Sequence, residues 1–498
     1  MIFADEGNAP IVCFQFTSNS IHIAASLEII DSLTKEKTMP VKYFWLGAST
    51  KYPSPMARGL DSPLRRVQIF PKQLKRALYS LNSSGVEMYS KLDKQSAIAS
   101  IREELMDQCK EFSEVQDLSK LQYGEILPGG ALANSFVYET GKRTFDYSKD
   151  KSLVKLLLTS YLETYHGVVR VLKEQRPYRV VLYNGRFLHE RAAWDACRHI
   201  GIDVYLFETT RNRFHVRVNQ GFHDRVLNQV LMKEFWITKN RELDPTLLQE
   251  LGSKYFTDLE SSRNRFFAES KFNNLKRDYF VFYSNSDDEA IGFWDSWQEP
   301  FLDQIEVIGS LQTFFETNKD FHLYIRLHPN LVSKSQEEQA RWSTLKSNEN
   351  STVIAATEQV SSYQLLKGAR GVISFGSTIG LEAAYHLIPS AILADCWYDE
   401  LGVADKLNSL EELTEWIESV DRGVYSNLLQ ERMRGALIRG LWMELAGNPF
   451  MNCKMDELSW GAWEVTHFKD VKLQRSWWGI TMSILSNKAK RLRLGLKT

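Results

Sequence analysis

Two stretches in the C-terminal half of the chain place polar side chains directly after apolar runs of strand type. Residues 328–330 (His-Pro-Asn) follow one run, and residues 374–378 (Ser-Phe-Gly-Ser-Thr) follow another. Proline ends a strand, and an imidazole beyond it can hydrogen-bond a phosphate or protonate a leaving group. Gly376 allows a tight turn, and the start of the helix after Ser377 and Thr378 attracts anions. The alternatives are an ordinary loop histidine and simple helix capping by the two hydroxyls.

A third stretch, residues 284–289 (Ser-Asn-Ser-Asp-Asp-Glu), follows a further apolar run. Because ligands of open α/β sheets bind beyond the carboxyl ends of the strands, all three stretches are expected at one edge. Glu382, one turn into the helix after Thr378, can then reach a ribose hydroxyl pair. The phosphate cradle lacks the lysine of a P-loop, so Walker-type ATP hydrolysis is not indicated. For the three acids, capping of a helix start is an equally good interpretation.

The first half of the chain offers a second polar edge. Asn184, Gly185 and Arg186 follow a predicted strand at 178–183, and Glu208 follows the next strand at 204–207. The helix between them makes this a βαβ unit, so both strands end at the same edge. Glu208 is a candidate general base, and Arg186 or Arg211 can pair with it or hold an anionic substrate. A buried structural Arg–Glu pair is the alternative.

Apolar runs alternate with helical patterns through most of the 498 residues, which is typical of α/β domains with parallel sheets. The polar stretch 256–277 lacks a strand pattern and is interpreted as the join between two domains. Residues 71–121 are predicted to be rich in helix, and the chain beyond about Leu410 to be helical. The predicted boundaries are 1–265, 266–440 and, for a C-terminal helical segment with a basic aromatic tail, 441–498.

Composition excludes several classes of protein. Hydrophobic residues make up 43% and charged residues 25%, which excludes extensive disorder, a collagen-like fibre and a coiled-coil rod. The 61 basic and 62 acidic side chains leave a net charge of −1, so no general electrostatic affinity for nucleic acid is expected. The five scattered cysteines contain no CxxC pair and predict neither a disulfide framework nor a zinc site.

The two ends of the chain differ in character. The first ten residues have no basic and apolar signal-peptide pattern, and no membrane helix is predicted, so we expect a cytoplasmic protein. From Asp470 to Thr498 seven lysines and arginines face one acid, and the cluster at the end follows Trp477 and Trp478. Such a tail can lie on an anionic bilayer surface, at the inner face of the plasma membrane. A packed terminal helix with a solvated basic end is the alternative.

Taken together, these motifs resemble the capsular polysaccharide biosynthesis glycosyltransferases of the GT-B type. The resemblance runs from about Tyr178 to Leu401 and rests on the order and spacing of five parts. Those parts are residues 184–186, the strand that ends in Glu208, and the stretches 283–289, 325–330 and 375–384. The His-Pro and Ser/Thr-plus-Glu elements also look like those of bacterial sialyl-, Kdo- and glycerophosphate transferases.

The resemblance implies two Rossmann-like domains that face each other across a cleft, the second holding a nucleotide-sugar donor. By this analogy His328, Ser377 and Thr378 contact the donor phosphate, and Glu382 contacts the ribose. Further expected donor contacts are Ser284, Asn285, Arg326, Ser374 and Gly376. The first domain would bind an oligo- or polysaccharide acceptor, free or lipid-linked, through Asn184, Arg186 and Arg211. Glu208 is the candidate base and His328 a second catalytic group, with neither a metal nor a further cofactor expected.

Two other functions fit the same pattern. A sugar-nucleotide 2-epimerase shares the two-domain fold but needs neither a polymer acceptor groove nor a basic aromatic tail. A non-catalytic protein that binds carbohydrate or nucleotide could keep Ser377, Thr378 and Glu382 but would not need Glu208 or His328.

Overall fold

The structure is a computed structural model. It describes residues 9–17, 19–46, 71–92, 98–210, 212–264, 275, 278–285, 303–334, 336–358, 360–457 and 463–473. The chain divides into two compact units. Unit 1 comprises Met1–His223 together with Gly447–Thr498, and unit 2 comprises Asp224–Ala446.

Strands and helices alternate in the first part of unit 1. The strand Ile11–Gln15 is buried along its whole length, as expected for a parallel strand that is covered on both faces. In chain order the elements are β1 (Ile11–Gln15), α1 (Ser20–Glu36), β2 (Pro40–Trp45), α2 (Pro71–Tyr79), β3 (Gly85–Tyr89), α3 (Ile98–Gln108), α4 (Val115–Leu118), α5 (Gly129–Thr140), α6 (Tyr147–Gln175), β4 (Arg179–Tyr183), α7 (Leu188–Ile200), β5 (Val204–Thr209) and β6 (Arg213–Val218).

Unit 2 begins with a helix pair and continues as an alternating α/β run. Its elements are α8 (Arg225–Glu242), α9 (Pro245–Asn264), β7 (Tyr279–Tyr283), α10 (Gln304–Thr317), β8 (His322–Arg326), α11 (Gln336–Trp342), β9 (Ser351–Ile354), α12 (Ser362–Lys367), β10 (Gly371–Ser374), α13 (Ile379–Tyr385), β11 (Ser390–Ile392), β12 (Asp405–Lys406), α14 (Leu410–Asp421) and α15 (Leu429–Leu445). The chain then returns to unit 1 with β13 (Asn448–Pro449), β14 (Cys453–Glu457), β15 (Trp463–Phe468) and β16 (Val471–Lys472).

The main sheet of unit 1 has the order β13-β6-β5-β4-β1-β2-β3. Strands β1 to β5 are parallel to one another, and β6 and β13 complete the sheet through antiparallel pairings. The chain order reverses between β1 and β4, which makes the ends of these two strands the expected place for a ligand.

The sheet of unit 2 has the order β12-β11-β10-β7-β8-β9, and its strands are all parallel. Its order reverses between β7 and β10. Alternate residues of β7 enter different cores, because successive side chains of a strand point to opposite faces. Phe280 and Phe282 pack in one apolar cluster, and Val281 and Tyr283 pack in another.

These two sheets confirm the predicted α/β class with two Rossmann-like units, and the predicted β4-α7-β5 unit is present. Among the strands of these sheets that were not anticipated are β3 and β6. Strand β3 lies inside the stretch 71–121 that was predicted to be rich in helix, and β6 follows β5 as an antiparallel neighbour. Both lie toward the outside of the sheet, where side chains are half-buried and apolar patterning is weaker.

The prediction of a helical C-terminal segment is wrong for Cys453–Lys472, which contains the antiparallel sheet β14-β15-β16. Tertiary contacts decide this outcome. Val465 and Phe468 are buried in the core of unit 1. Asn452 donates to both carboxylate oxygens of Glu28 on α1, at 2.6 and 2.7 Å. The predicted tail beyond Leu473 lies outside the described residues.

The chain was predicted to pass between the two units at residues 256–277, and the structure places the crossing elsewhere. Helices α8 and α9 belong to unit 2, and the chain crosses at His223 and again at Ala446. Helix α9 packs closely on α15: a Cβ added to Gly440 would lie 2.0 Å from the carbonyl oxygen of Gly252. Although the sequence of α9 is largely polar, one face of the helix is buried. This face includes Phe256, whose ring stacks on that of Tyr385 with 4.4 Å between the ring centroids.

Among the described residues, no helix combines the length and the apolar character needed to cross a bilayer.

Candidate functional site

In unit 2 hydrogen bonds connect the ends of β7 and β8 next to His328. The hydroxyl of Ser284 accepts a hydrogen bond from the backbone N–H of His328 at 2.8 Å. The backbone N–H of Ser284 donates to the carbonyl of Arg326 at 3.1 Å. Ser284 is buried, whereas the side chain of His328 is partly exposed. The strand ends therefore fix the backbone that presents the imidazole at the sheet edge.

Asn285 joins β7 to β10 across the point where the sheet order reverses. Its side-chain Nδ2 donates to the carbonyl of Phe375 at 3.2 Å. Its backbone N–H donates to Oε1 of Gln304, the first residue of α10, at 3.0 Å. Together with the bonds between Ser284 and the end of β8, these contacts bring the described parts of the three predicted stretches to one edge, as the parallel topology requires.

The turn after β10 is built around Gly376, which has φ of +83°. A Cβ at this position would lie 2.8 Å from the Cβ of Cys396, so only glycine fits without displacement. The hydroxyl of Tyr398 donates to the carbonyl of Ser377 and holds the turn from the other side.

The predicted capping of α13 by Ser377 and Thr378 is not what the structure contains. Thr378 occupies the N-cap position with helical dihedral angles (φ −55°, ψ −14°) and makes no side-chain cap hydrogen bond. A capping side chain needs an extended backbone to reach the free N–H groups. The Thr378 hydroxyl instead donates to Oε1 of Glu382 at 3.2 Å.

The predicted donor-site residues fall into two groups. Asn285, His328, Gly376 and Ser377 are partly exposed, and Thr378 is exposed. Ser284, Arg326, Ser374 and Glu382 are buried. The residues of the first group are accessible to a ligand in this structure, and the buried residues of the second group support the site from beneath.

Arg326 illustrates a supporting role. Its guanidinium donates to the carbonyls of Ala355 at 2.5 Å and Glu358 at 3.1 Å, in the loop after β9. Burial lowers the pKa of Arg326. The side chain thus stabilises this loop, and its contact with a donor stays a prediction.

In unit 1 the corresponding edge carries a hydrogen-bonded chain of four side chains that runs from β4 and β5 to the residue before unit 2. Glu208 accepts from the hydroxyl of Tyr183 at 3.1 Å and from the backbone N–H of Thr209 at 2.9 Å. Its other oxygen accepts from Nδ2 of Asn184. Oδ1 of Asn184 in turn accepts from Nε2 of His223 at 2.6 Å.

The environment sets the protonation of this chain. Burial raises the pKa of Glu208 above its ordinary value, although its three hydrogen bonds and the charge of Arg186 act in the opposite direction. Burial and nearby arginines hold the pKa of His223 well below its ordinary value, so the imidazole is neutral at pH 7. A carboxylate with a raised pKa, partly open to solvent, has the properties of a general base.

The predicted acceptor residues divide between the described and undescribed parts of the chain. Asn184 lies in the hydrogen-bonded chain, and Arg186 lies close enough to Glu208 to lower its pKa. Arg211 and residues 286–289 lie outside the described residues.

Several residues at this edge were missed in the sequence. His22, on α1, stacks its ring on Tyr183 at 3.9 Å. Glu190, on α7, is fully buried, and neither of its carboxyl oxygens has a hydrogen-bond partner in the described part of the chain. Burial raises the pKa of Glu190 to about 8, so the carboxyl is largely protonated at neutral pH. Its place in the first turn after residues 184–186 was the available signal, whereas His223 stands in a loop without a motif.

No group of three or more His, Cys, Asp or Glu side chains is arranged to hold a metal ion within the described ranges.

The segment that contains the unit 2 edge can be matched to known proteins. Residues 261–442 match the family model "Capsule polysaccharide biosynthesis protein". The match spans a little over a third of the chain and includes β7, β8, β10 and the polar residues that follow them. No curated protein sequence matches the chain.

Solved structures resemble the chain only distantly. The β Kdo 2,4 transferase of KpsC from Thermosulfurimonas dismutans aligns with 14% identity and a TM-score of 0.33, over 47% of this chain and 75% of that one. A UDP-GlcNAc 2-epimerase from Neisseria meningitidis bound to UDP-GlcNAc aligns with 12% identity and a TM-score of 0.30, over 86% and 97%. Similarity at this level carries no conclusion about activity.

Proposed function

We propose that the protein is a glycosyltransferase that transfers a sugar from a nucleotide-activated donor to a bacterial surface polysaccharide. One observation carries this proposal. Accessible hydrogen-bonding groups converge at the point where the strand order of the unit 2 sheet reverses, and this point lies within residues 261–442, which match the capsule polysaccharide biosynthesis family model. Asn285 follows β7, His328 follows β8, and Ser377 and Thr378 follow β10. A nucleoside diphosphate or monophosphate is the kind of ligand that binds at such an edge.

Unit 2 is assigned the donor. His328 and the hydroxyls of Ser377 and Thr378 would hydrogen-bond the phosphate that leaves with the nucleotide. The buried carboxyl of Glu382 would bind the ribose once Thr378 has turned toward the ligand. Imidazole and hydroxyl donors can stabilise the departing phosphate without a metal, and His328 can supply its proton.

Unit 1 is assigned the acceptor. The acceptor hydroxyl would lie against Glu208, which takes its proton as the oxygen attacks the anomeric carbon. The bond from that carbon to the donor phosphate breaks, and the nucleotide leaves. The raised pKa of Glu208 makes its carboxylate a stronger base than an ordinary glutamate.

The donor site is tested by binding of CMP, CDP, UDP, GDP and their sugar derivatives, screened by thermal shift and measured by calorimetry. A nucleotide that binds the folded protein must raise its melting temperature. For the nucleotide that binds, His328→Ala and Glu382→Gln are each expected to weaken affinity roughly tenfold or more, because hydrogen bonds to charged groups contribute about 1.5–3 kcal/mol.

His467→Ala is the matched control, since His467 lies on β15 in unit 1 and is expected to leave the affinity unchanged. Wild-type affinity in both unit 2 variants would contradict the donor site.

We place the protein in the cytoplasm, at the inner face of the plasma membrane, through the basic aromatic tail 477–498. Trp477, Trp478 and the following lysines and arginines carry this part of the proposal. The full chain is expected to sediment with vesicles of phosphatidylglycerol and phosphatidylcholine but not of phosphatidylcholine alone, and deletion of 477–498 is expected to release it. A full chain that never sediments with the anionic vesicles would refute the attachment.

A further inference from the structure

We propose that His223 is a positioning residue for Glu208 and acts through the side-chain amide of Asn184. The inference rests on the proposed function for the role of Glu208 as a base. The hydrogen bonds that carry it lie within unit 1 and are independent of that role.

The orientation of the Asn184 amide follows from its two partners. Oδ1 of Asn184 can only accept, so Nε2 of His223, 2.6 Å away, must carry the hydrogen. With the oxygen held in this way, Nδ2 of Asn184 faces the carboxylate of Glu208 and donates to it. The Nε2–H tautomer of the neutral imidazole and this direction of the amide therefore require each other.

The backbone conformation at Asn184 and Gly185 also supports this hydrogen-bonded chain. Asn184 has φ of +52°, in the left-handed region that few non-glycine residues adopt, and Gly185 follows with φ of +74°. A Cβ at Gly185 would lie 2.7 Å from Cε3 of Trp194, so this turn requires glycine. The turn places the amide between β5 and the loop that carries His223.

Loss of the His223 donor would free the amide to rotate. In the rotated state Oδ1 would face the carboxylate and repel its negative charge, so Glu208 would lose one of its three donors. The protonated form of Glu208 would then be favoured, and proton abstraction would require a higher pH.

Other charged or titratable groups face this chain from each neighbouring element. They are His22 on α1, Arg186 after β4, Glu190 and Arg191 on α7, and His215 and Arg217 on β6. Burial, together with the positive charges of Arg186, Arg191 and Arg217, lowers the pKa of His223, so its own titration does not enter the neutral range. The pH dependence described next is therefore that of Glu208.

The kinetic test compares His223→Phe, which keeps a ring but has no donor, with His223→Gln, whose amide can replace Nε2. For His223→Phe we expect the acidic limb of kcat against pH to move up by about one unit, with turnover lowered at the pH values of that limb and recovered at higher pH. KM for the donor should be unchanged. His223→Gln should restore the original profile, and His199→Ala, at a half-exposed histidine of the same unit, should leave it unaltered.

A second readout does not depend on transfer. The difference in melting temperature between the protein and its Glu208→Gln variant, followed from pH 5 to 9, reports the ionisation of Glu208. In the His223→Phe background this curve is expected to move to higher pH by a similar amount. An unmoved curve would overturn the positioning role even if transfer is observed. A moved curve without any transfer would support the role and count against the proposed function alone.

Discussion

The Glu190→Gln variant is expected to be more stable than the unsubstituted protein at pH 8, by roughly 4 kcal/mol, because each unit of pKa shift corresponds to about 1.4 kcal/mol. Burial raises the pKa of Glu190 from 4.5 to about 8. Between these values the folded state holds a proton that the unfolded state has lost, so the stability of the protein falls as the pH rises. Glutamine has nearly the same shape and does not ionise.

The free energy of unfolding, measured with urea from pH 5 to 9, checks this expectation. The difference between variant and unsubstituted protein should be small near pH 5, grow up to about pH 8 and then level off. Glu174→Gln, at an exposed glutamate of α6 in the same unit, serves as the control and should give a small difference at every pH. A difference for Glu190→Gln that does not vary with pH would contradict the buried, protonated carboxyl.

The Glu208→Gln variant is expected to lose transfer activity by roughly a hundredfold to ten-thousandfold, the range that general base catalysis contributes. Glutamine cannot take the acceptor proton. Its nucleotide affinity should stay within about twofold of the unsubstituted protein, because Glu208 lies in unit 1 and the donor is assigned to unit 2. Turnover and nucleotide affinity measured on the same preparation separate these two effects.

Glu208→Gln also places an amide opposite Nδ2 of Asn184, so its fold must be checked by melting temperature. Glu208→Asp retains a carboxylate at a shorter reach and should keep part of the activity. Unchanged turnover in a folded Glu208→Gln variant would remove Glu208 as the base.

The residues that come together at the strand ends could be predicted from the sequence, because parallel topology brings these ends to one edge of the sheet. Glu208 and Asn184 lie in one hydrogen-bonded chain, and Ser284 binds the backbone of His328, although 44 residues separate the last pair. Apolar runs locate such strands, and the residue that follows a run is then placed without further information.

What the sequence could not predict depends on tertiary contacts. His223 reaches Asn184 from a loop after the antiparallel strand β6, and no local pattern marks that approach. The sheet β14-β15-β16 exists because Val465 and Phe468 enter the core of unit 1. The side-chain bond from Thr378 to Glu382 replaces the expected helix cap because the Thr378 backbone is already helical.

Mass spectrometry of an oligosaccharide acceptor, incubated with the nucleotide sugar that binds unit 2, tests the central claim most directly. The account predicts that the acceptor gains the mass of one sugar residue, that an equal amount of free nucleotide appears, and that both changes are lost in Glu208→Gln. An epimerised nucleotide sugar with an unchanged acceptor, or a nucleotide sugar that binds and remains intact with every acceptor offered, would contradict it.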